Sequence, residues 1–67
     1  MSIIKVIEVI GTSKEGFTEA THAAIKEASK TVKNIKSIYI KEMNAKVKNN
    51  TIISFAVNAK ISFEVDS

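Results

Sequence analysis

A stretch near the beginning of the sequence that is mostly apolar, interrupted only by Lys5 and Glu8, predicts a strand. β-branched residues dominate from Ile3 to Ile10, and Gly11 follows them directly, which is the pattern of a largely buried strand. Alternate positions form two faces, namely Ile3, Ile7 and Val9 on one side and Ile4, Val6 and Ile10 on the other. Because both faces are apolar, we expect both of them to be covered in the native protein.

A helix is predicted to follow, from about Lys14 to Val32, once Gly11-Thr12-Ser13 has broken the strand. We expect Ser13 to cap this helix, since its hydroxyl can accept a hydrogen bond from a free amide of the first turn. The inner face recurs at spacings of three and four, and consists of Phe17, Ala20, Thr21, Ala24, Ile25, Ala28 and Val32. The exposed side consists of Lys14, Glu19, Lys26, Glu27, Lys30 and Lys33. The inner alanines let the helix lie close to a sheet but add little volume to the core.

The second strand is predicted to change phase along its length. Apolar residues occupy even positions at Ile38 and Ile40 and odd positions from Met43 onward. A phase change of this kind indicates a bulge or bend. We expect it near Lys41 and Glu42.

The rest of the sequence completes a hairpin. Asn49-Asn50 is expected to form its two-residue turn, because asparagine tolerates the positive backbone angles that such turns require. The last strand is predicted from Thr51 to Val65, with a clean alternation of side chains. Its apolar face is Ile53, Phe55, Val57, Ala59, Ile61, Phe63 and Val65, and its other face is Ser54, Ala56, Asn58, Lys60, Ser62 and Glu64.

These elements predict an α+β fold with the order βαββ. A right-handed crossover makes the first two strands parallel, and placing the third strand between them makes every neighbouring pair antiparallel. We therefore expect a three-stranded antiparallel sheet that partly wraps one helix, formed by residues 1–67 as one domain. A single helix covers only one face, so apolar side chains and two strand edges remain for neighbouring copies to cover.

The composition excludes the common supplements to a core of this size. The 67 residues are 45% hydrophobic and 25% charged, and none is cysteine, which rules out disulfides, thiolate zinc sites and cysteine nucleophiles. A domain of about 60 residues buries only about 60% of the surface that its unfolded chain exposes. We therefore expect oligomerisation to supply the missing stability.

The charge of the chain favours solubility over a nucleic-acid partner. The net charge is +3, and all ten basic residues are lysines. Without arginine, the bidentate contacts favoured by nucleic-acid binders are missing. No apolar run approaches the ~20 residues of a membrane-spanning helix, and no secretory signal is visible. We expect a cytoplasmic protein with no membrane partner.

Few residues carry candidate chemistry. His22 has no second histidine and no Glu-x-x-His partner, so we interpret it as a surface or interface residue and expect no metal site. No base is placed to activate a nucleophile, so no catalytic residues and no enzymatic activity are expected. Calcium bound by carboxylates from several subunits is an alternative, with Glu8, Glu42, Glu64 and Asp66 as the candidates.

Two segments have some features of anion sites. The segment from Gly11 to Gly16 precedes the helix but lacks the Gly-x-x-x-x-Gly-Lys-Ser/Thr spacing of a phosphate-binding loop, and helix capping explains it better. Lys41, Lys46 and Lys48 surround the hairpin turn. We interpret them as a solvated edge that prevents aggregation, with an anionic ligand as the alternative. Tyr39 is the only aromatic residue expected on the sheet face away from the helix.

The sequence resembles the dodecin family over nearly its full length. The resemblance is carried by the strand end Val6-Ile7-Glu8-Val9-Ile10-Gly11-Thr12-Ser13, by the amphipathic helix and by the segment Lys60-Ile61-Ser62-Phe63-Glu64-Val65. Dodecins are βαββ subunits that assemble as hollow twelve-subunit particles, and many store or shield flavins without catalysis. The resemblance implies a hollow homododecamer, a non-enzymatic role and a small-molecule ligand, with flavin as the cofactor of the family.

The residues expected to contact flavin differ from the family pattern. Flavin-binding members place a tryptophan that stacks on the ring and a glutamine that hydrogen-bonds it at positions matching Ser37 and Ala56, and bacterial members place basic residues that hold phosphate-bearing ligands at positions matching Asn44 and Glu64. Stacking contributes ~1–3 kcal/mol and a hydrogen bond ~1 kcal/mol. Their loss should lower flavin affinity at least about tenfold. Tyr39 is the aromatic residue left to compensate, and the identity of the ligand stays open.

Three hypotheses follow. The first is a dodecin-like homo-oligomer that sequesters a small ligand. The second keeps the particle but gives it a structural or ion-binding role, with calcium as its specific version. The third is a small nucleic-acid or protein-binding module that uses the basic hairpin. The mass in solution separates the third from the other two, and the yellow colour of bound flavin separates the first from the second.

Overall fold

The computed structural model describes residues 2–66 and has the βαββ order that the sequence predicts. Its elements are β1 (Ser2–Ser13), α1 (Phe17–Ser29), β2 (Ile35–Lys48) and β3 (Thr51–Asp66). The strands form one sheet in the order β1-β3-β2, with both pairs antiparallel, which confirms the predicted α+β topology. The expected domain, residues 1–67, includes Met1 and Ser67, which lie outside the described residues.

The predicted break of the first strand at Gly11 is wrong. β1 continues to Ser13, and Gly11 pairs with Val57 in the sheet. The glycine allows α1 to lie close to β1. A Cβ built on it would clash with the Ala20 carbonyl oxygen and lie 2.7 Å from the Ala24 nitrogen. A glycine can therefore mark tight packing as well as a turn.

The predicted bounds and cap of the helix are also wrong. α1 begins at Phe17 and not at Lys14, because Ser13 still belongs to β1. The Ser13 hydroxyl accepts a hydrogen bond of 3.0 Å from the Glu15 amide, which closes a turn before the helix. The N-cap is Gly16, without a side-chain cap. At the other end, α1 stops at Ser29 and Val32 lies outside it.

The core lies between α1 and the strands β1 and β3. Phe17 at the start of α1 packs edge to face against Phe55 of β3, with ring centroids 5.0 Å apart, which is an arrangement that aromatic pairs prefer. The predicted exposed side of the helix is exposed. The fully buried hydrophobic residues among those described are Ala20, Ala24, Ala28, Val57, Ala59 and Ile61. Four of these six are alanines, so the core has little volume.

The predicted phase change of β2 is confirmed. The pairing with β3 shifts between Ile40 and Glu42, so Lys41 is the extra residue of a bulge. Two further shifts are not predicted by the sequence, one between Ile35 and Ser37 and one between Lys46 and Val47, where Ile53 of β3 is the extra residue. The three-residue spacing of Ile35 and Ile38 is a signal for the first of them. Such shifts let both halves of the strand keep their apolar residues on the helix side of the sheet.

The hairpin turn is formed as predicted. Asn49 and Asn50 have positive φ angles of 52° and 61°, the backbone conformation of a tight two-residue turn. The strands that it joins give the chain an elongated shape of 53 × 19 × 13 Å. Among residues 2–66, the single helix is too short and too polar to cross a bilayer.

Candidate functional site

One face of the sheet has no helix over it, and we name it the open face. Strand pairing and the alternation of side chains assign to it Ile4, Val6, Glu8, Ile10 and Thr12 of β1, Ser37, Tyr39, Glu42 and Asn44 of β2, and Ala56, Asn58, Lys60, Ser62 and Glu64 of β3. Its large apolar side chains are more than half exposed, with 67% for Ile10, 64% for Tyr39, 55% for Ile4 and 54% for Val6. Exposed apolar side chains grouped in this way mark an interaction surface.

A groove lies at the end of the open face where β1 ends. It has a volume of about 430 Å³ and is lined by Thr12, Ser13, Lys14, Asn44, Lys46, Ser54 and Ala56. The sheet brings these distant residues together, because Ala56 of β3 pairs with Thr12 on one side and with Asn44 on the other. Lys46 lies opposite Ser54 in the same sheet. The small side chain of Ala56 leaves space between its larger neighbours.

The groove is rich in positive charge and hydrogen-bond donors. Its lining includes two lysines, three hydroxyl side chains and one amide, and it includes no carboxylate. Among residues 2–66, neither Lys14 nor Lys46 forms an ion pair. The hydroxyl of Ser13 already accepts a hydrogen bond from the Glu15 amide, which leaves its hydrogen available to donate. Such a lining suits an anion.

The candidate flavin residues fall into two separate groups on the open face. Asn44 and Ala56 are direct neighbours in the groove. Ser37 lies opposite Ser62, which is six residues further along β3 than Ala56, a distance of about 20 Å in a strand. Glu64 and Tyr39 lie in this second group, with Tyr39 opposite Lys60. One ring system cannot touch Ser37 and Ala56 of the same chain.

Two ion pairs link β2 to acidic residues of the open face. The Lys41 ammonium lies 3.5 Å from Glu8, and the Lys36 ammonium lies 3.7 Å from Glu64. Both lysines are extra residues at the register shifts of β2. Because these side chains are about half exposed, and that of Glu64 about one third, water screens both pairs and they contribute little to stability, but they offset the charge of the two carboxylates.

The described residues of one chain do not form a metal site. His22 is exposed on α1, as the sequence indicates. In residues 2–66 no three histidine, cysteine, aspartate or glutamate side chains are grouped closely enough to hold a metal ion. Asn58 lies between Ile10 and Glu42 on the open face, and its Oδ1 is buried without a hydrogen-bond partner in this part of the chain.

The sequence did not predict the groove, although it contained parts of the signal. The sequence favours helix capping for Thr12 and Ser13 and a solvent-facing position for Lys14, and it favours a solvated edge for Lys46 with an anionic ligand as the alternative. Each interpretation considered one segment alone. The groove exists because strand pairing brings the end of β1 beside the hairpin. The signal in the sequence is the number of lysine and hydroxyl side chains that the predicted strand order places at the same end of the sheet as the groove.

The comparisons with known proteins agree with this fold. A protein-family model described as Dodecin matches residues 3–66. Dodecin from Streptomyces davaonensis is 27% identical with a TM-score of 0.92, over 98% of this chain and 97% of that one. An arginine-to-alanine mutant of the Thermus thermophilus dodecin is 25% identical with a TM-score of 0.93, over 100% of both chains.

The name of a third solved structure includes calcium. It is a calcium-chelating antigen called calcium dodecin, from Mycobacterium tuberculosis, which is 26% identical with a TM-score of 0.81, over 96% of this chain and 91% of that one. No curated protein matches the sequence significantly.

Proposed function

Because the chain belongs to the dodecin family, we propose that it is the subunit of a hollow homododecamer that binds or sequesters a small ligand without catalysing a reaction. The observation that carries the assembly is the open face, where Ile4, Val6, Ile10 and Tyr39 are all more than half exposed. The groove beside them supplies a place for a ligand.

The surface area of the chain supports the assembly. The chain exposes 4989 Å², whereas a compact folded chain of 7.3 kDa exposes about 4,200 Å². The excess of about 800 Å² equals the area that one partner loses in a protein–protein interface of standard size. The core is made largely of alanine, so it contributes little stability by itself. Together with the excess surface, this favours a chain that gains stability by burying surface against other copies.

Flavin is a poor fit as the ligand of this particle. The serine at position 37 has no ring to stack on the isoalloxazine, and the alanine at position 56 has no amide to hydrogen-bond it. Tyr39 is exposed on the open face and is the remaining aromatic candidate for a contact. The separation of Ser37 from Ala56 means that a flavin site would need residues from at least two subunits. We therefore expect flavin to bind at least about tenfold more weakly than a site with both family residues would bind it.

Light scattering after size-exclusion chromatography tests the assembly. Twelve copies of a 7.3 kDa chain give a particle of about 88 kDa, and a well-folded monomer in dilute solution would contradict the proposal.

A riboflavin titration of the double variant Ser37→Trp with Ala56→Gln, compared with the parent protein, tests the flavin interpretation. Tighter binding by the variant is expected, and equal binding would count against these two positions as ring contacts.

A structural or calcium-binding assembly without flavin is the second candidate. The calcium-chelating relative supports it, and so does the buried oxygen of Asn58 beside Glu42, which has no hydrogen-bond partner among residues 2–66. Oxygen ligands of this kind suit calcium, although other copies would have to supply the rest. Calcium binding measured by calorimetry should then be weakened by Glu42→Gln and not by Glu19→Gln, which changes an exposed acid of α1 on the other side of the sheet. Assembly that persists unchanged in a calcium chelator, together with no heat of calcium binding, would remove the calcium version of this candidate and leave the structural one.

A further inference from the structure

A second group of exposed apolar side chains lies at the hairpin end of the sheet, on the side opposite to the open face. We name it the hairpin patch, and it consists of Met43, Val47, Ile52 and Ile53, which are between 45% and 64% exposed. Met43 pairs with Val57, which is buried beneath α1, and Val47 follows on the same side by alternation. Ile52 lies directly opposite Val47. The hairpin patch therefore faces the same way as α1.

The helix does not reach the hairpin patch. Its first residue, Phe17, packs against Phe55 of β3, and the hairpin continues past this pair to its turn at Asn49 and Asn50. Across the sheet, α1 packs mainly on β1 and β3 and hardly touches β2. The apolar side chains of the hairpin patch are thus left for a surface outside the chain to cover.

A closed particle other than a single ring needs two kinds of contact between its copies. A contact between two identical surfaces joins copies only in pairs, whereas a contact between two different surfaces joins them head to tail into a ring. A hollow particle of twelve copies can combine both kinds. The chain offers two separate apolar surfaces for them, the open face and the hairpin patch, on opposite sides of its sheet.

The charges indicate which of the two surfaces can meet its own copy. Residues 43–63 contain three lysines and no acidic residue, while the rest of the chain has seven lysines and seven acids. Two hairpins that faced each other would bring these like charges together, which is unfavourable. The open face carries both signs, with Glu8 opposite Lys60 in the sheet and Glu42 nearby. The open face can therefore be complementary to itself, and the hairpin patch needs a different surface.

The position of the hairpin patch favours a protein chain over a membrane as its partner. In the part of the chain that the structure describes, β2 has a neighbouring strand on one side only. The backbone groups along its other edge need hydrogen-bond partners, which another protein chain can supply and the interior of a lipid bilayer cannot. A second copy therefore fits this edge better than a lipid surface does, although the lysines of the hairpin would attract anionic lipids.

We propose that the hairpin patch packs head to tail against a different surface of a second copy of this chain, so that copies form rings. The open face then joins the rings in pairs about twofold axes. The inference rests on the proposed function, since it names the two contacts from which that particle is built.

Light scattering of two lysine variants at the same subunit concentration tests this division of contacts. Val47→Lys places an unpaired charge in the hairpin patch, so the open face alone should hold the copies as dimers of about 15 kDa. Ile10→Lys breaks the open face, so the hairpin patch should hold rings of three or more copies, of at least about 22 kDa. Thr51→Lys is the matched control, because it adds the same charge to an exposed position of the same hairpin, and it should keep the mass of the parent.

A thiol-labelling experiment tests the same contact without adding a charge. The chain has no cysteine, so the variant Val47→Cys carries one thiol, and cysteine is small and apolar enough to preserve the contact. In the particle, a maleimide should react with Val47→Cys at least about tenfold more slowly than with Thr51→Cys, because a thiol covered by another copy reacts only when the contact opens. Both positions are exposed in the single chain, so a chain that is not covered there should give equal rates.

The outcomes separate this inference from the proposed function. A parent protein that is a monomer would refute both of them. A parent particle of about 88 kDa with equal labelling rates, or with an unchanged mass for Val47→Lys, would refute the inference and leave the particle. Equal masses for Val47→Lys and Ile10→Lys would also refute the two separate contacts. Binding of the parent to phosphatidylglycerol vesicles, together with equal labelling rates in their absence, would assign the hairpin patch to a membrane surface instead. Circular dichroism verifies that each variant is folded.

Discussion

Replacing Gly11 with alanine tests the close packing of α1 on the sheet. Gly11 is buried in β1, opposite Val57. Its φ angle is not positive, so the backbone itself would accept any residue. The obstacle is space, because the new Cβ would press on the Ala20 carbonyl oxygen and lie 2.7 Å from the Ala24 nitrogen and 2.9 Å from the Ala24 Cβ. Two of these three atoms belong to the helix backbone, which cannot turn away as a side chain can.

The size of the stability loss caused by Gly11→Ala depends on which atoms must move to make room for the new methyl group. Overpacking a core by a methyl group costs about 1–3 kcal/mol when side chains can adjust, and occasionally more. Here the whole helix must shift away from β1, which loosens the contacts of its buried alanines. We therefore expect Gly11→Ala to lower the free energy of unfolding by about 3 kcal/mol. In a domain of this size that corresponds to a fall of roughly 12–24 °C in the melting temperature.

Gly16→Ala is the matched control. Gly16 has φ 171°, an extended conformation open to any residue, and the nearest atom to its added Cβ is the side-chain oxygen of Glu19 at 2.7 Å. That side chain is exposed and can rotate away, so the cost should be below about 1 kcal/mol. Urea unfolding followed by circular dichroism at one fixed subunit concentration gives both values. If Gly11→Ala is no less stable than Gly16→Ala, the close approach of helix and strand is not the reason for the glycine.

Three further predictions concern the turn, the core and the open face. At the hairpin, Asn50→Ala should destabilise by about 1 kcal/mol because alanine tolerates positive φ poorly, while Asn50→Gly should be at least as stable as the parent; equal urea midpoints for the two would contradict this. In the core, Phe55→Ala should lower the free energy of unfolding by about 2–4 kcal/mol. Phe17→Leu keeps an apolar contact but loses the edge-to-face pair, so it should lower the free energy of unfolding by about 1 kcal/mol. A larger loss for Phe17→Leu than for Phe55→Ala in the same unfolding assay would contradict the placement of Phe55 in the core. On the open face, Ile10→Lys should reduce the mass measured by light scattering, whereas Ser29→Lys, at the exposed end of α1, should not; an unchanged mass for Ile10→Lys would count against assembly through this face.

The strands follow from local patterns, because alternation of side chains is a property of neighbouring residues, and their order follows from the handedness of the crossover connection. The phase change at Lys41 and the turn at Asn49 and Asn50 are examples. The start of α1 does not follow, because a serine just before an amphipathic stretch is typical of a helix cap. Ser13 stays in β1 through its pairing with Phe55, a contact between residues far apart in the sequence.

The candidate site was predictable only in part for the same reason. Tyr39 was assigned to the open face correctly, since its position in the strand alternation was enough. The groove combines Lys14, Lys46 and Ser54 from three segments, and their proximity depends on the strand register. The positions matched to the flavin contacts came from the resemblance to dodecins. Their role as contacts stays a prediction.

The bulge at Lys41 makes β2 tolerant of change at that position. An exposed side chain at this point is easily replaced, since its ion pair with Glu8 is partly in solvent. Removing the residue altogether would let Ile40 and Glu42 follow each other in one regular ladder with β3, so that Met43 would stay on the helix side of the sheet and Asn44 on the open face. Descendants of this protein should therefore both substitute and delete this residue, and a deletion should straighten the strand without exchanging its two faces.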